Sequence, residues 1–382
     1  MGAINRFFDR INSVIQETMR KRDNFSWLFL FPIVSVLLGV LASGFMILLL
    51  HINPISVFWD TLKYTFGDYY SIAEIFVKAT PLILSGLAFA FAFRGGLFNI
   101  GAQGQFYIGV VLAVTVSLKI THLPGMIVML IAMLASGVFG GLWGAFAGYA
   151  KAKFNSNEFL ITMMATYVAT NVLNYFLNGP LQETAKFYPR TDSIPTSTNV
   201  PILIPNTRLG YGFILALLIA LLSYFILWRT TIGYKIRTVG LNKNASQYAG
   251  MNIGMVYVIT MFIAGAFAGL AGFTEVNGVQ HMAMQGFYSN LGSDGIAVAL
   301  LGGANPIGVV LSAILIGFLQ VAGIIMLQTS RVPSSIINVT EGFVIMFVII
   351  SFFVQDRISA TSRKREVLAR RKSERQEASW SA

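Results

Sequence analysis

A helix needs about 20 predominantly apolar residues to cross a hydrocarbon layer roughly 30 Å thick, and this chain supplies such runs repeatedly. Stretches with few or no charges occupy residues 27–50, 71–93, 97–118, 125–150, 159–178, 211–228, 251–273, 307–328 and 335–354, with a shorter, glycine-interrupted one at 291–304. In lipid a spanning backbone must satisfy its own hydrogen bonds, so the pattern predicts an all-α membrane protein of about ten transmembrane helices. Composition points the same way. Of 382 residues, 55% are hydrophobic and 11% are charged, whereas a soluble domain carries roughly a quarter charged residues. The chain has no cysteine, which excludes a disulfide framework, a thiolate metal site and a cysteine nucleophile together.

The formal net charge of +11 could suggest nucleic acid, but its distribution gives a simpler reason. With the amino terminus inside, 20 of the 27 basic residues fall on cytoplasmic segments: a leader at 1–26, Arg94, Lys151 with Lys153, Arg229 with the 230–250 loop, and a tail at 355–382. That asymmetry is the positive-inside rule, and it predicts a multi-pass plasma-membrane protein with both termini cytoplasmic and no nucleic-acid partner. The first run is longer than a signal-peptide core and lacks its cleavage pattern, so it is expected to remain as a span. The tail clusters Arg363-Lys364-Arg365 and Arg370-Arg371-Lys372 would lie near anionic lipid.

The longest polar interruption, residues 179–210, contains Pro180, Pro189, Pro195, Pro201 and Pro205 and so cannot form a long helix. It reads as an external loop dividing the domain at 27–354 into halves of five spans, 27–178 and 211–354. Halves with an odd number of spans face opposite ways, the inverted-repeat arrangement of many transporters. A faint echo supports it: Arg94-Gly95-Gly96-Leu97-Phe98-Asn99-Ile100-Gly101 in one half and Leu301-Gly302-Gly303-Ala304-Asn305-Pro306-Ile307-Gly308 in the other. Both lie where glycines break an apolar run, and broken spans tend to line substrate paths. Residues 51–70, with Trp59, Tyr64, Tyr69 and Tyr70, read as an interfacial segment. The 230–250 loop reads as a basic cytoplasmic loop or a short amphipathic helix.

No lysine follows a glycine, so the phosphate-cradling GxxxxGK[ST] loop is missing and no cofactor is expected on this chain. The histidines are only His51, His122 and His281, too scattered for a metal site. A membrane hydrolase would have only Ser289 or Ser293 with His281 as nucleophile and base, a pairing that arises easily by chance. Ionisable groups inside spans are costly and tend to be functional. Glu275 and Asp294 flank Asn277, Gln280, His281 and Gln285 in a segment too polar for lipid, and these either line a path or pack structurally. Glu341 reads as structural and Arg94 as a cytoplasmic anchor. Asn99, Gln103 and Gln105 lie beside Phe98, Phe106 and Tyr107; amides and aromatic faces suit a neutral polar ligand with a planar ring, or else they bond helix to helix. Gly137, Gly141 and Gly144, and Gly265, Gly269 and Gly272, form small-xxx-small packing patterns.

The run Phe93-Arg94-Gly95-Gly96-Leu97-Phe98-Asn99-Ile100-Gly101-Ala102-Gln103-Gly104-Gln105 resembles the FRxGLFNIGxxGQ signature of permeases in ATP-binding-cassette importers for nucleosides, within the wider ribose and branched-chain amino acid permease group. Residues 292–306 resemble the GxxGIAVALLGxxxP segment of that group. The cytoplasmic loop, with Gly233, Arg237, Val239-Gly240, Asn242, Ala245 and Tyr248-Ala249-Gly250, is similar to its coupling loop, departing from it at Lys243-Asn244-Ala245-Ser246. The resemblance implies about ten helices in inverted halves, a second permease subunit in a heterodimer, two cytoplasmic ATPase subunits that use the ATP, and a surface lipoprotein that captures substrate. It implies that Gly233, Arg237, Gly240, Asn242, Ala245, Ala249 and Gly250 serve ATPase coupling. The substrate path is expected at Asn99, Gln103, Gln105, Phe106, Glu275, Asn277, Gln280, His281 and Asp294. The leading expectation is a nucleoside permease subunit that is not itself an enzyme. The alternatives are a permease for ribose, another sugar or branched-chain amino acids and, more distantly, an ion-coupled secondary transporter.

Overall fold

The computed structural model describes residues 25–286 and 290–330 and, between 332 and 350, all but 334, 337, 341, 345, 348 and 349. Glu341, Ser289 and the basic tail therefore lie outside the described residues, and the tenth expected span is described only in part. Two units result. One comprises Met1–Leu49 and Asn338–Ala382 and carries helix α1 (Phe25–Leu49); the other is Leu50–Ile337. The second holds every candidate functional residue.

Within it the apolar runs become helices whose ends follow local signals. Asn53 accepts from the Ile55 N–H and Pro54 takes the first turn of α2 (Pro54–Gly67), as capping and fixed φ favour. Its Val57, Thr61 and Thr65 face inward while Ile55, Trp59, Tyr64 and Phe66 are exposed, the two-faced character expected of an interfacial segment. Asp68 caps α3 (Tyr69–Arg94) through the Tyr70 N–H. Beyond its first turns helix α3 is apolar on every side and almost wholly buried up to Arg94, as a helix at the centre of a bundle must be. It is packed by α4 (Ala102–Lys119), α7 (Gly212–Arg229), α10 (Ile253–Glu275), α11 (Leu291–Leu301) and α12 (Pro306–Ser330).

The tightest helix pair is α5 (Gly125–Phe154) against α10. A Cβ on Gly265 would fall 2.3 Å from the Gly140 carbonyl oxygen, and one on Gly269 2.1 Å from that of Ser136. Only glycine permits this backbone approach, which replaces the hydrophobic drive that lipid-facing helices lack. The small-residue pattern therefore serves packing, with Gly140 and Gly144 in closest register on α5, while a Cβ on Gly137 would lie 3.4 Å from the Leu270 side chain. Helix α6 (Glu158–Leu177) is capped by Asn157 and packs on α4 and α5.

Among the described residues six helices, α3, α5, α6, α7, α10 with the turn after it, and α12, are long and apolar enough to cross a membrane. Helices also occupy the runs at 27–50, 97–118 and 291–304, with α4 beginning at Ala102 rather than at residue 97. Helix α11 has 11 residues, about 16 Å of rise, too little to span. No strand forms among the described residues, only isolated bridges between Arg190 and Met284 and between Ile202 and Gly210. The proline-rich loop contains one helical turn, Thr196–Thr198. The 230–250 loop is helical: α8 (Thr231–Leu241), capped by Thr230, then α9 (Lys243–Tyr248), capped by Asn242.

Candidate translocation path and coupling elements

The two glycine breaks that echo each other in sequence meet in space. The first turns α3 into α4 through Gly96 at φ 74°; the second turns α11 into α12 through Gly303 and Ala304 at φ 61° and 48°. Arg94 joins them, donating from Nε to the Ala304 carbonyl oxygen at 2.8 Å and from Nη2 to that of Gly303 at 3.3 Å. Its guanidinium also lies 5.3 Å from the Trp228 ring centroid, with the Arg237 guanidinium 5.8 Å from the same indole. Arg94 is thus a crosslink between the two glycine breaks as well as a terminal charge.

The amides of the first motif are deeply placed. Asn99 and Gln105 form a reciprocal pair, Asn99 Nδ2 donating to Gln105 Oε1 at 2.9 Å and Gln105 Nε2 to Asn99 Oδ1 at 3.1 Å, both buried. Gln103 Oε1 accepts from the Gly292 N–H at 2.7 Å, fastening α4 to α11. Phe106 is buried, and Gly272 packs against its backbone, where a Cβ would lie 2.5 Å from the carbonyl oxygen. In this conformation Gln103 and Phe106 hold α4 to its neighbours, and the Asn99–Gln105 pair fastens the glycine break to the first turn of α4.

The second group gathers where α10 ends in a π-helical turn, Val276–Gln280, a distortion that often marks functional sites. Gln280 Nε2 donates to Glu275 Oε1 at 2.9 Å. Asn277 Nδ2 reaches both Ser117 Oγ and the Thr198 carbonyl oxygen at 3.0 Å. Glu275 Oε2, Asn277 Oδ1 and His281 Nδ1 are buried without a hydrogen-bond partner. Three unpaired polar atoms within seven residues are expensive in a dry interior. Asp294, half-buried on α11, accepts from Gln320 at 3.3 Å. No hydrogen bond joins Ser293 to His281 among the described residues.

The two groups do not form one pocket. Asn277 bonds Ser117 near the end of α4, whereas Gln103 and Gln105 lie in its first turn, roughly 18 Å apart along the helix. They mark opposite ends of a single helix.

The residues expected to serve coupling divide by burial. Gly233 is buried, and a Cβ there would sit 2.0 Å from the Ile226 carbonyl oxygen; one on Gly240 would sit 2.2 Å from that of Arg94. Helix α8 therefore rests directly on the first glycine break. Asn242, Ala245, Ala249 and Gly250 are exposed, and Tyr248 between them is 95% exposed. Lys243, Gln247, Lys151, Asn155, Asn252 and Tyr257 line a polar hollow of about 390 Å³ beside α9. These outward residues had no stronger sequence signal than the exposed half of a short amphipathic helix.

On the opposite side, residues of the proline-rich loop clamp a projecting tip. Arg190 Nε donates to Glu183 Oε2, Tyr188 N–H to Glu183 Oε1 at 2.9 Å, and Thr184 Oγ1 to Asp192 Oδ2 at 2.8 Å. The Arg190 guanidinium holds the Glu183 carboxyl below the usual range, and hydrogen bonds from Thr184 do the same for Asp192.

Residues 71–353 match the family described as the branched-chain amino acid transport system / permease component. The guanosine ABC transporter permease protein NupP of Bacillus subtilis is 39% identical over 336 residues, 85% of this chain and 94% of that protein. The nucleoside ABC transporter permease protein NupB of Lactococcus lactis subsp. cremoris is 30% identical over 335 residues, 85% and 92% of the two chains. The glucose ABC transporter permease protein TsgB13 of Haloferax volcanii is 28% identical over 345 residues, 87% and 90%. Matched along most of its length and built from apolar helices that carry the permease motifs, the chain belongs to the branched-chain amino acid transport system / permease component family.

Proposed function

We propose that this chain is the membrane-spanning permease subunit of an ATP-driven importer and forms, with a second permease, the translocation path for nucleosides. The observation that carries the reading is the run from Phe93 to Gln105, whose resemblance to nucleoside importer permeases agrees with the 39% identity to a guanosine permease protein. ATP is hydrolysed on two separate cytoplasmic subunits, and a surface lipoprotein delivers the substrate. The domain consists of about ten spans in two inverted halves, 27–178 and 211–354, with both termini cytoplasmic in the plasma membrane and a different permease as partner.

The contacts described above suggest how force travels. An ATPase that grips Asn242, Ala245, Tyr248 and Ala249 moves α9 and α8. Gly240 carries that movement to the Arg94 carbonyl, and the Arg94 side chain carries it to Gly303 and Ala304. Both glycine breaks then shift together, as alternating access about a central path requires. The π turn from Glu275 to His281 supplies the polar face at the other end of the path.

Labelled nucleoside should accumulate in proteoliposomes that hold this chain, its partner permease, the ATPases and the lipoprotein, with ATP on the ATPase side. Accumulation without any ATPase would favour an ion-coupled transporter and make Glu275 or Asp294 a coupling site. The similarity to a glucose permease protein at 28% identity supports a second reading as a sugar permease, which competition by sugars distinguishes.

A further inference from the structure

Two cations from different helices share one aromatic ring. Trp228, the penultimate residue of α7, has the Arg94 guanidinium 5.3 Å and the Arg237 guanidinium 5.8 Å from its centroid, both within the range over which an indole attracts a guanidinium. Tyr224, one turn earlier, stacks on the same indole with centroids 5.0 Å apart and an interplanar angle of 16°, which fixes the tilt of the ring. Arg237 is half-buried, and its Nε is buried without a hydrogen-bond partner among the described residues. A donor shut away from acceptors is costly, and the attraction of the indole is what offsets that cost here. The same attraction opposes the repulsion between two like charges held against one ring. A tryptophan at a helix end often serves only as an interfacial anchor, but an anchor needs no cation packed on it, still less two.

The two arginines belong to elements with different tasks. Arg94 ties the glycine breaks together through the Ala304 and Gly303 carbonyls. Arg237 lies on α8, where Gly233, Arg237 and Gly240 fall on one helix face by their spacing. The Gly233 end of that face is locked to α7. Thr230 Oγ1 donates to the Ile226 carbonyl at 2.6 Å and accepts from the Gly233 N–H at 3.1 Å, and Gly233 sits too close to the Ile226 carbonyl to bear a Cβ. The Gly240 end rests on the Arg94 carbonyl. With its first turn fixed in this way, any tilt of α8 pivots at the joint with α7 and moves Arg237 against the Trp228 ring.

We propose that Trp228 is a positioning residue that couples α8 to the junction of the glycine breaks, holding the Arg237 and Arg94 guanidiniums on one indole so that displacement of Arg237 changes how firmly Arg94 grips Gly303 and Ala304. The inference rests on the importer reading and deepens it, adding a side-chain route to the backbone contact at Gly240. The two routes differ in kind. The Gly240 contact is steric and can only push, whereas attraction to a shared ring also pulls, so the return movement of α8 is transmitted as well.

The test uses the complete importer in proteoliposomes supplied with substrate-loaded lipoprotein, with uptake of labelled guanosine and ATP hydrolysis measured on the same vesicles. Trp228→Leu should lower the guanosine carried per ATP hydrolysed about tenfold, the weight of a partly desolvated cation–π contact acting as a coupling free energy, while the ATPase subunits still co-purify. Trp228→Phe keeps an aromatic face and should recover most of that ratio. A packing or interfacial role would lower uptake and hydrolysis together through the amount of folded protein; an unchanged ratio in Trp228→Leu therefore overturns the proposal. Arg237→Gln should lower the ratio in the same way, and Trp228→Leu/Arg237→Gln should be no worse than Trp228→Leu alone, because both changes remove one contact. Losses that multiply overturn it. If Trp228→Leu does not insert, Arg237→Lys carries the test: it retains a cation for the ring and should keep a ratio several-fold above that of Arg237→Gln, and equal ratios overturn the proposal. Wild-type uptake that proceeds without ATP removes the importer reading itself, a failure distinct from those of the variants.

Discussion

Arg94 Nε donates to the Ala304 carbonyl oxygen at 2.8 Å across 210 positions of sequence, so the basic residue closing α3 satisfies the backbone where α11 ends. Ala304 sits at φ 48°, a left-handed conformation unfavourable for a residue with a Cβ. The bond holds that turn in place and ties the two glycine breaks into one junction. Arg94→Leu leaves both carbonyls without their charged donor and should lower stability by about 2 kcal/mol, read as an earlier unfolding midpoint in detergent. Arg94→Lys should recover part of it, because an ammonium lacks the guanidinium's fixed fork.

Asn99 and Gln105 satisfy each other in a buried position. Asn99→Leu or Gln105→Leu strands the partner amide, costing about 1–3 kcal/mol each. The double variant should cost less than the sum of the singles, as expected for residues in contact. Uptake that falls while thermal stability stays at the wild-type value would instead assign these amides to the path.

The coupling loop should separate into two behaviours. Tyr248→Ala alters only an exposed ring, should change stability by less than about 0.5 kcal/mol, and should abolish co-purification of the ATPase subunits. Gly240→Ala places a Cβ 2.2 Å from the Arg94 carbonyl oxygen, so it should cost about 1–3 kcal/mol through overpacking before any docking is measured. ATPase association retained by Tyr248→Ala would show that α9 does not dock through its tip.

The loop clamp carries a pH signature. Arg190 depresses the Glu183 pKa in the folded protein, so the clamp's contribution is fully present above the ordinary glutamate value of about 4.3 and is lost as pH falls through the lower folded value. Asp192 acts in the same direction through Thr184. Hydrogen exchange of the amides of Thr184 and Tyr188, corrected for intrinsic rates, should show constant protection from about pH 5 to 8 and loss only at more acidic pH. Loss of protection near neutrality would contradict the clamp.

Much of this was legible in the chain because lipid leaves a helix few alternatives. Uninterrupted apolar runs gave α3, α5, α6, α7, α10 and α12, and five prolines forecast the non-helical loop at 179–210. The helical form of 230–250 was less visible, since its capping residues Thr230 and Asn242 suit loops equally well. The sequence echo pointed to both glycine breaks. It could not show that they touch, because the Arg94–Ala304 bond depends on tertiary placement. The polar residues were identifiable, but not their separation: Gln105 and Asn277 were both expected along one path, and they meet opposite ends of α4. Orphaned atoms such as Glu275 Oε2 are invisible in sequence, since a carboxylate's partners are set by the fold.

The central claim concerns the solute. Uptake of labelled guanosine into proteoliposomes containing the whole importer should require ATP, fall when unlabelled nucleosides are added, and ignore ribose, glucose and leucine in excess. Uptake competed by a sugar or a branched-chain amino acid, and indifferent to every nucleoside, would contradict the account.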